Sequence, residues 1–206
     1  MSLFIVRDSF RPPGGKTSMD YFAIQVQTGD EDKFIRRADI ILKIGPQPAV
    51  SLNFFAPKRT LKEKKAGKQV SILRHVFPGY VFLETETLET ESRWKIRRLR
   101  GFYRFLPDSV SPLPLVERDK GLLLRFISFG KSADISKVTF DENQRIVVLE
   151  GPLRGLEGSI VKVDKRRGRA KVKLDMCEVG FLIDLGFEVV AGVAKGEDST
   201  NGEHGS

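Results

Sequence analysis

The residue types that most often carry catalysis are thin in this chain. It has two histidines, His75 and His204, and one cysteine, Cys177. Cys177 is far along the chain from His75, and His204 falls among the last residues. There is no glycine-rich phosphate loop and no set of His, Cys, Asp or Glu at metal-ligand spacing. The carboxylates are scattered, mostly beside lysines and arginines, where solvated ion pairing is the default. These residues point away from an enzyme and away from a bound metal or cofactor. What is concentrated is positive charge, with a formal net charge of +8 over 206 residues. That balance favours polyanionic partners.

The basic residues fall into three groups. The first is Lys58, Arg59, Lys62, Lys64, Lys65, Lys68 and Arg74, with only Glu63 against it. The second is Arg93, Lys95, Arg97, Arg98, Arg100 and Arg104. The third, "VKVDKRRGRAKVKLD", has the clearest geometry, because it alternates as a β-hairpin should. Val161, Val163, Ala170, Val172 and Leu174 are expected to point inward. Lys162, Arg169, Lys171 and Lys173 then share the outer face, and Lys165, Arg166 and Arg167 stand on the turn. An edge kept basic to prevent sheet-to-sheet aggregation usually needs only one or two lysines. Seven cations on one hairpin fit a phosphate-contacting face, and folded RNA, whose grooves are read through shape and backbone, is the expected target.

The elements that must position these residues can be read along the chain. "YFAIQVQTG" alternates as a half-buried strand. Thr28 and Glu31 have capping-box spacing, and Phe34, Ala38, Ile41 and Leu42 form the apolar stripe of a helix that Gly45 and Pro46 stop. "SLNFFAPKR" reads as a strand and "TLKEKKAGKQ" as a polar connection turning at Gly67. "VSILRHVF" and "GYVFLETE" read as strands, Thr87 to Arg100 as a helix, "GFYRFLP" as a short strand, and Glu117 to Ile127 as a helix. After "SFGKSADISKV", a polar segment of linker texture, only short strands and glycine turns follow, as in a small β-barrel. The fold class is therefore α+β: an antiparallel sheet flanked by helices, then a small β-barrel. The expected boundaries are a disordered leader over 1–18, a first domain over 19–128, a linker over 129–139, a barrel over 140–192 and a disordered tail over 193–206. Met19 is a candidate natural start. One cysteine excludes an internal disulfide and suits a reducing cytoplasm, and no apolar run reaches membrane-spanning length.

"FPGYVFLETE", Phe77 to Glu86, departs from simple alternation. Val81 and Leu83 face one way and Tyr80 and Phe82 the other, so the strand is apolar on both faces. Val81 and Leu83 are assigned to the core. Tyr80 and Phe82, with Phe77 beside them, occupy the face that should be polar, either packed under the helices as core or exposed.

With these motifs in place, the chain resembles the NusG family of transcription elongation factors. The first-domain resemblance runs through "YFAIQVQTGDEDKF", "FPGYVFLE", "RWKIRRLRGFYRFLP" and "SPLPLVERD". The barrel resembles a KOW domain, which implies an SH3-like barrel, through "IVVLEGPLRGLEGSIVKVD", where Gly151, Pro152, Gly155 and Gly158 match the motif's turn positions. The resemblance implies an NGN-type first domain that docks on the RNA polymerase clamp, with Phe77, Pro78, Tyr80 and Phe82 as contact residues carried over by position, so that these aromatics are expected to form an exposed docking surface. It also implies a KOW barrel that recruits a second partner; the chain is expected to be a monomer. At or beside the place where the housekeeping factor carries an aromatic loop residue, this chain has Cys177, with Phe181 displaced from it. That points away from coupling to the ribosome or to Rho. The extended "APKRTLKEKKAGKQVSILRHVFPGY" segment is closer to specialised LoaP-like antitermination paralogues, in which an RNA hairpin in the leader directs processive antitermination. Two alternatives remain open: a housekeeping NusG-type factor coupling polymerase to the ribosome or Rho, and a ribosome-associated KOW protein on ribosomal RNA. Contact with non-template DNA is also open.

Overall fold

The computed structural model describes residues 19–43, 52–129 and 134–190. The expected leader, the Gly45–Pro46 stop and the tail lie outside these residues. In chain order the elements are β1 (Asp20–Val26), α1 (Glu31–Lys43), β2 (Asn53–Phe55), β3 (Lys58–Lys65), β4 (Lys68–His75), β5 (Tyr80–Thr85), α2 (Thr90–Arg97), β6 (Phe102–Phe105) and α3 (Glu117–Ile127), followed by β7 (Ser136–Phe140), β8 (Ile146–Glu150), β9 (Ile160–Asp164), β10 (Arg169–Met176) and β11 (Val179–Val189). They divide into two compact units. One takes the described residues up to Phe55 together with Tyr80–Leu115; the other takes Ala56–Gly79 and the described residues from Val116 onward. This division differs from the sequence expectation of domains over 19–128 and 140–192. Strand β7 also occupies the last positions of the expected 129–139 linker.

In the first unit an antiparallel sheet of order β2-β5-β1-β6 carries helices α1 and α2. Phe22, Ile24 and Val26 of β1 alternate toward a core that also holds Val81 and Leu83 of β5, Phe34, Ala38 and Leu42 of α1, and Ile96 of α2. Burial of each such large side chain contributes about 1.5–3 kcal/mol relative to exposure. Helix α1 begins at Glu31, so Asp30 precedes it rather than Thr28. Asp30 accepts a 2.6 Å hydrogen bond from Arg37, which also donates to the Arg100 carbonyl. Ile41, expected in the apolar stripe, is exposed.

β5 is an inner strand, paired with β1 on one side and β2 on the other. Its second face is covered too. Tyr80 and Phe82 are 6% and 0% exposed, and Phe82 stacks on Phe55 with centroids 6.0 Å apart. The expectation that these aromatics form an exposed surface therefore does not hold. A strand with neighbours on both sides and apolar residues on both faces has been placed where neither face meets water.

In the second unit five strands of order β8-β7-β11-β10-β9 form the barrel sheet. The long β11 pairs antiparallel with β10 along its first part and parallel with β7 at its end, so one strand joins both halves of a curled sheet. Ala170, Val172, Leu174 and Met176 alternate inward on β10 as their period-two spacing requires. Gly151 sits at φ +97°, and a Cβ there would lie 2.6 Å from the Ser136 Cα. Gly158 has neither a positive φ nor a close neighbour, so the turn argument applies to Gly151 and not to it.

The stretch "TLKEKKAGKQ" is not a loose connection. β3 and β4 form an antiparallel hairpin in which Lys65 pairs with Lys68 across the two residues Ala66 and Gly67, at φ +47° and +78°. Two positive φ values in a two-residue loop match the right-handed twist of the flanking strands.

Candidate nucleic-acid interface

The barrel hairpin β9–β10 presents the third basic group. Lys162, Lys165, Arg166, Arg167 and Lys173 are exposed, while Lys171 and Arg169 are half-buried. The pairing shifts between Lys171 and Val172, so Val161 is the extra residue of a β-bulge and is exposed rather than inward-facing. Lys162 and Lys171 stand directly opposite each other. Like charges at such a pair are destabilising on their own; Lys171 has Asp184 at 3.6 Å. Around the turn, Lys165 lies 3.8 Å from the centroid of the Phe140 ring and donates to Gln144. Arg167 stays largely exposed, with Asp164 at 3.8 Å. Lys162, Asp164, Arg167, Arg169, Lys171 and Asp184 line a shallow depression of about 130 Å³.

Arg169 behaves differently from the outer-face cation the alternation predicts. Its side chain is 17% exposed. Its guanidinium donates to the Lys62 carbonyl at 2.9 Å and to Glu63 at 3.4 Å. The strand period places it correctly, but hairpin β3–β4 covers it. That hairpin brings the first basic group into the same unit. Arg59 is buried there and donates to the His75 carbonyl. Burial pulls its guanidinium down to about 10, partly opposed by Asp184 and reinforced by Arg169 and Arg74. Lys62 pairs with Glu188 at 3.2 Å. Lys62, Lys64 and Gln69 lie across a cleft from Arg166 and Arg167. Sequence reasoning grouped these lysines but did not join them to the barrel. The available signal was the i, i+2 spacing of Lys62 and Lys64, which puts both on one strand face.

The second basic group is largely engaged within its own unit. Lys95 pairs with Glu91 at 2.7 Å, Arg104 donates to Gln25, and Arg97 lies over the Trp94 ring.

Of the expected polymerase-contact residues, Pro78 is exposed and Phe77 is 1% exposed. Phe77 packs edge-on against Phe126 of α3 at 5.8 Å and Phe181 of β11 at 5.2 Å. Beside it, the Cys177 backbone N–H donates to Asp119 of α3 at 2.8 Å. Burial, then the Asp119 charge, push the Cys177 thiol up to about 12, which removes it as a nucleophile near neutral pH. Among the described residues no group of three or more His, Cys, Asp or Glu could hold a metal ion. No helix among them is long and apolar enough to cross a membrane.

The family model described as "Transcription termination factor nusG" matches residues 19–121. The chain belongs to the NusG family. Similar members include the transcription termination/antitermination protein NusG of Campylobacter jejuni, 28% identical over 156 residues, covering 76% of this chain and 87% of that protein. The NusG of Thermus thermophilus is 22% identical over 180 residues, covering 84% and 98%. Among solved structures, one titled "Domain interaction in Thermotoga maritima NusG" matches with a TM-score of 0.53 at 18% identity, covering 84% of this chain and 96% of that one. That likeness shows the NusG fold, a sheet with helices followed by a curled KOW-type sheet.

Proposed function

We propose that this NusG-family chain is a transcription elongation factor of the termination/antitermination type. Its first domain binds RNA polymerase, and its KOW barrel binds a structured leader RNA through Lys162, Lys165, Arg166, Arg167, Lys171 and Lys173. The observation that carries the RNA reading is the Lys162–Lys171 pair, two like charges held opposite each other beside a turn of exposed cations. A polyanion lying on that face relieves the repulsion. Family membership supports the polymerase reading, with Pro78 the exposed member of the expected contact set. For Phe77, Tyr80 and Phe82, burial makes any direct contact conditional on local opening. The LoaP-like specialisation rests on the basic barrel hairpin together with the long β3–β4 arm.

The test is in vitro transcription past terminators with the cognate polymerase, with and without the matching leader. Read-through that increases only with the leader supports the assignment; read-through that never changes counts against it. A second reading, a housekeeping factor, is favoured by the Campylobacter jejuni and Thermus thermophilus relatives, both named NusG itself. Co-purification with Rho or ribosomal subunits, without leader dependence, would select that reading.

A further inference from the structure

Within the second unit, two basic hairpins line one cleft of about 480 Å³. Its walls are Lys62, Glu63, Lys64 and Gln69 from β3–β4 and Arg166, Arg167 and Arg169 from the barrel, five cations against one carboxylate. That carboxylate is already shared, with Arg169 at 3.4 Å and Arg74 at 4.0 Å. The walls are tied together by specific contacts. The Arg169 guanidinium grips the β3 backbone at the Lys62 carbonyl, and its Nε is buried without a hydrogen-bond partner. Strand β3 also rests directly on β11, because a Cβ at Gly186 would stand 2.9 Å from the Thr60 carbonyl oxygen.

We propose that hairpin β3–β4 is the second wall of the RNA site, and that the cleft seats the phosphodiester backbone of a double-helical RNA stem. Lys64, Arg166 and Arg167 supply the phosphate contacts, and Arg169 is the positioning residue that sets the spacing of the walls. This rests on the reading that the barrel binds RNA. The chemistry of the lining selects the ligand class. Sequence-tolerant single-strand sites stack bases on aromatic rings, and none of the described residues lining this cleft is aromatic. A lining of guanidinium, ammonium and amide groups contacts backbone, the feature through which A-form stems are recognised.

The experiment uses the full chain and two labelled probes, an RNA stem-loop of about 16 base pairs and a single strand of equal length. Binding is measured across a salt series. Lys64→Ala is expected to weaken stem binding and to lower the log–log salt slope by about 0.7–0.9, the value of one phosphate contact. Arg166→Ala with Arg167→Ala is expected to lower it by about twice that. Arg169→Lys keeps the charge and loses the fork to Lys62 and Glu63, so affinity falls while the slope is retained. Lys64 is exposed on a strand edge, so its variant keeps the fold. If the barrel variants weaken binding and Lys64→Ala changes neither affinity nor slope, the two-walled cleft is wrong and the barrel reading stands. If neither set has any effect, the barrel reading itself is wrong. Equal or tighter binding of the single strand overturns the stem assignment.

Discussion

The ring of Phe77 offers the most direct measurement of how this molecule uses its "FPGY" segment. It is 1% exposed and meets Phe181 at 5.2 Å with an interplanar angle of 81°, and Phe126 at 5.8 Å and 88°. Truncating a fully buried phenylalanine to alanine costs about 3–5 kcal/mol, from lost transfer energy and the cavity left behind. That is a large share of the roughly 5–15 kcal/mol a domain has, so Phe77→Leu is the safer perturbation. The half-buried Phe181, changed to Leu, is expected to cost less. The edge-to-face pair itself should appear as a coupling energy of about 0.5–1.5 kcal/mol in a double-mutant cycle. Equilibrium urea unfolding followed by far-UV circular dichroism supplies the free energies. The sole tryptophan, Trp94, belongs to the first unit, so its fluorescence gives a separate trace for that unit. Additivity within about 0.3 kcal/mol would refute the packing. Phe77 would then be as available to a polymerase as its sequence context first indicates.

Two further outcomes follow from local geometry. Cys177, with its thiol raised from 9.0 to about 12, is expected to alkylate slowly near pH 8 in the folded chain and quickly in denaturant. A raised folded value means its contribution to stability is intact below pH 9 and lost as pH climbs from 9 toward 12. The midpoint of unfolding should therefore fall less steeply over that range in Cys177→Ser, and identical pH slopes would contradict the burial. At the β3–β4 turn, Ala66 holds φ +47° at a position that favours asparagine or glycine. Ala66→Asn is expected to stabilise the hairpin by up to about 1 kcal/mol, part of the roughly 1–2 kcal/mol left-handed cost, measured as slower amide exchange across Lys64–Gln69, and unchanged exchange would remove the strain argument.

Period and charge were legible in the residues themselves. The alternation of "YFAIQV" gave β1, the spacing of Leu123 and Phe126 gave α3 its buried face, and Ala170, Val172 and Leu174 lie inward as alternation requires. Each of these depends on a local repeat that one chain segment carries alone. Hairpin β3–β4 was not legible, because "KRTLKEKK" has a single large apolar residue, Leu61, and its turn is Ala-Gly rather than Asn-Gly. Its strand form comes from the backbone ladder to β4 and from its seat on β11. The bulge that turns Val161 outward comes from the register of a partner strand. Likewise, sequence alone made Arg169, Tyr80 and Phe82 surface residues. Tertiary structure decided otherwise: a second hairpin lies over Arg169, and Tyr80 and Phe82 are 6% and 0% exposed. A residue's own period says which side of a strand it occupies, but only the layer placed against that side decides whether it meets water.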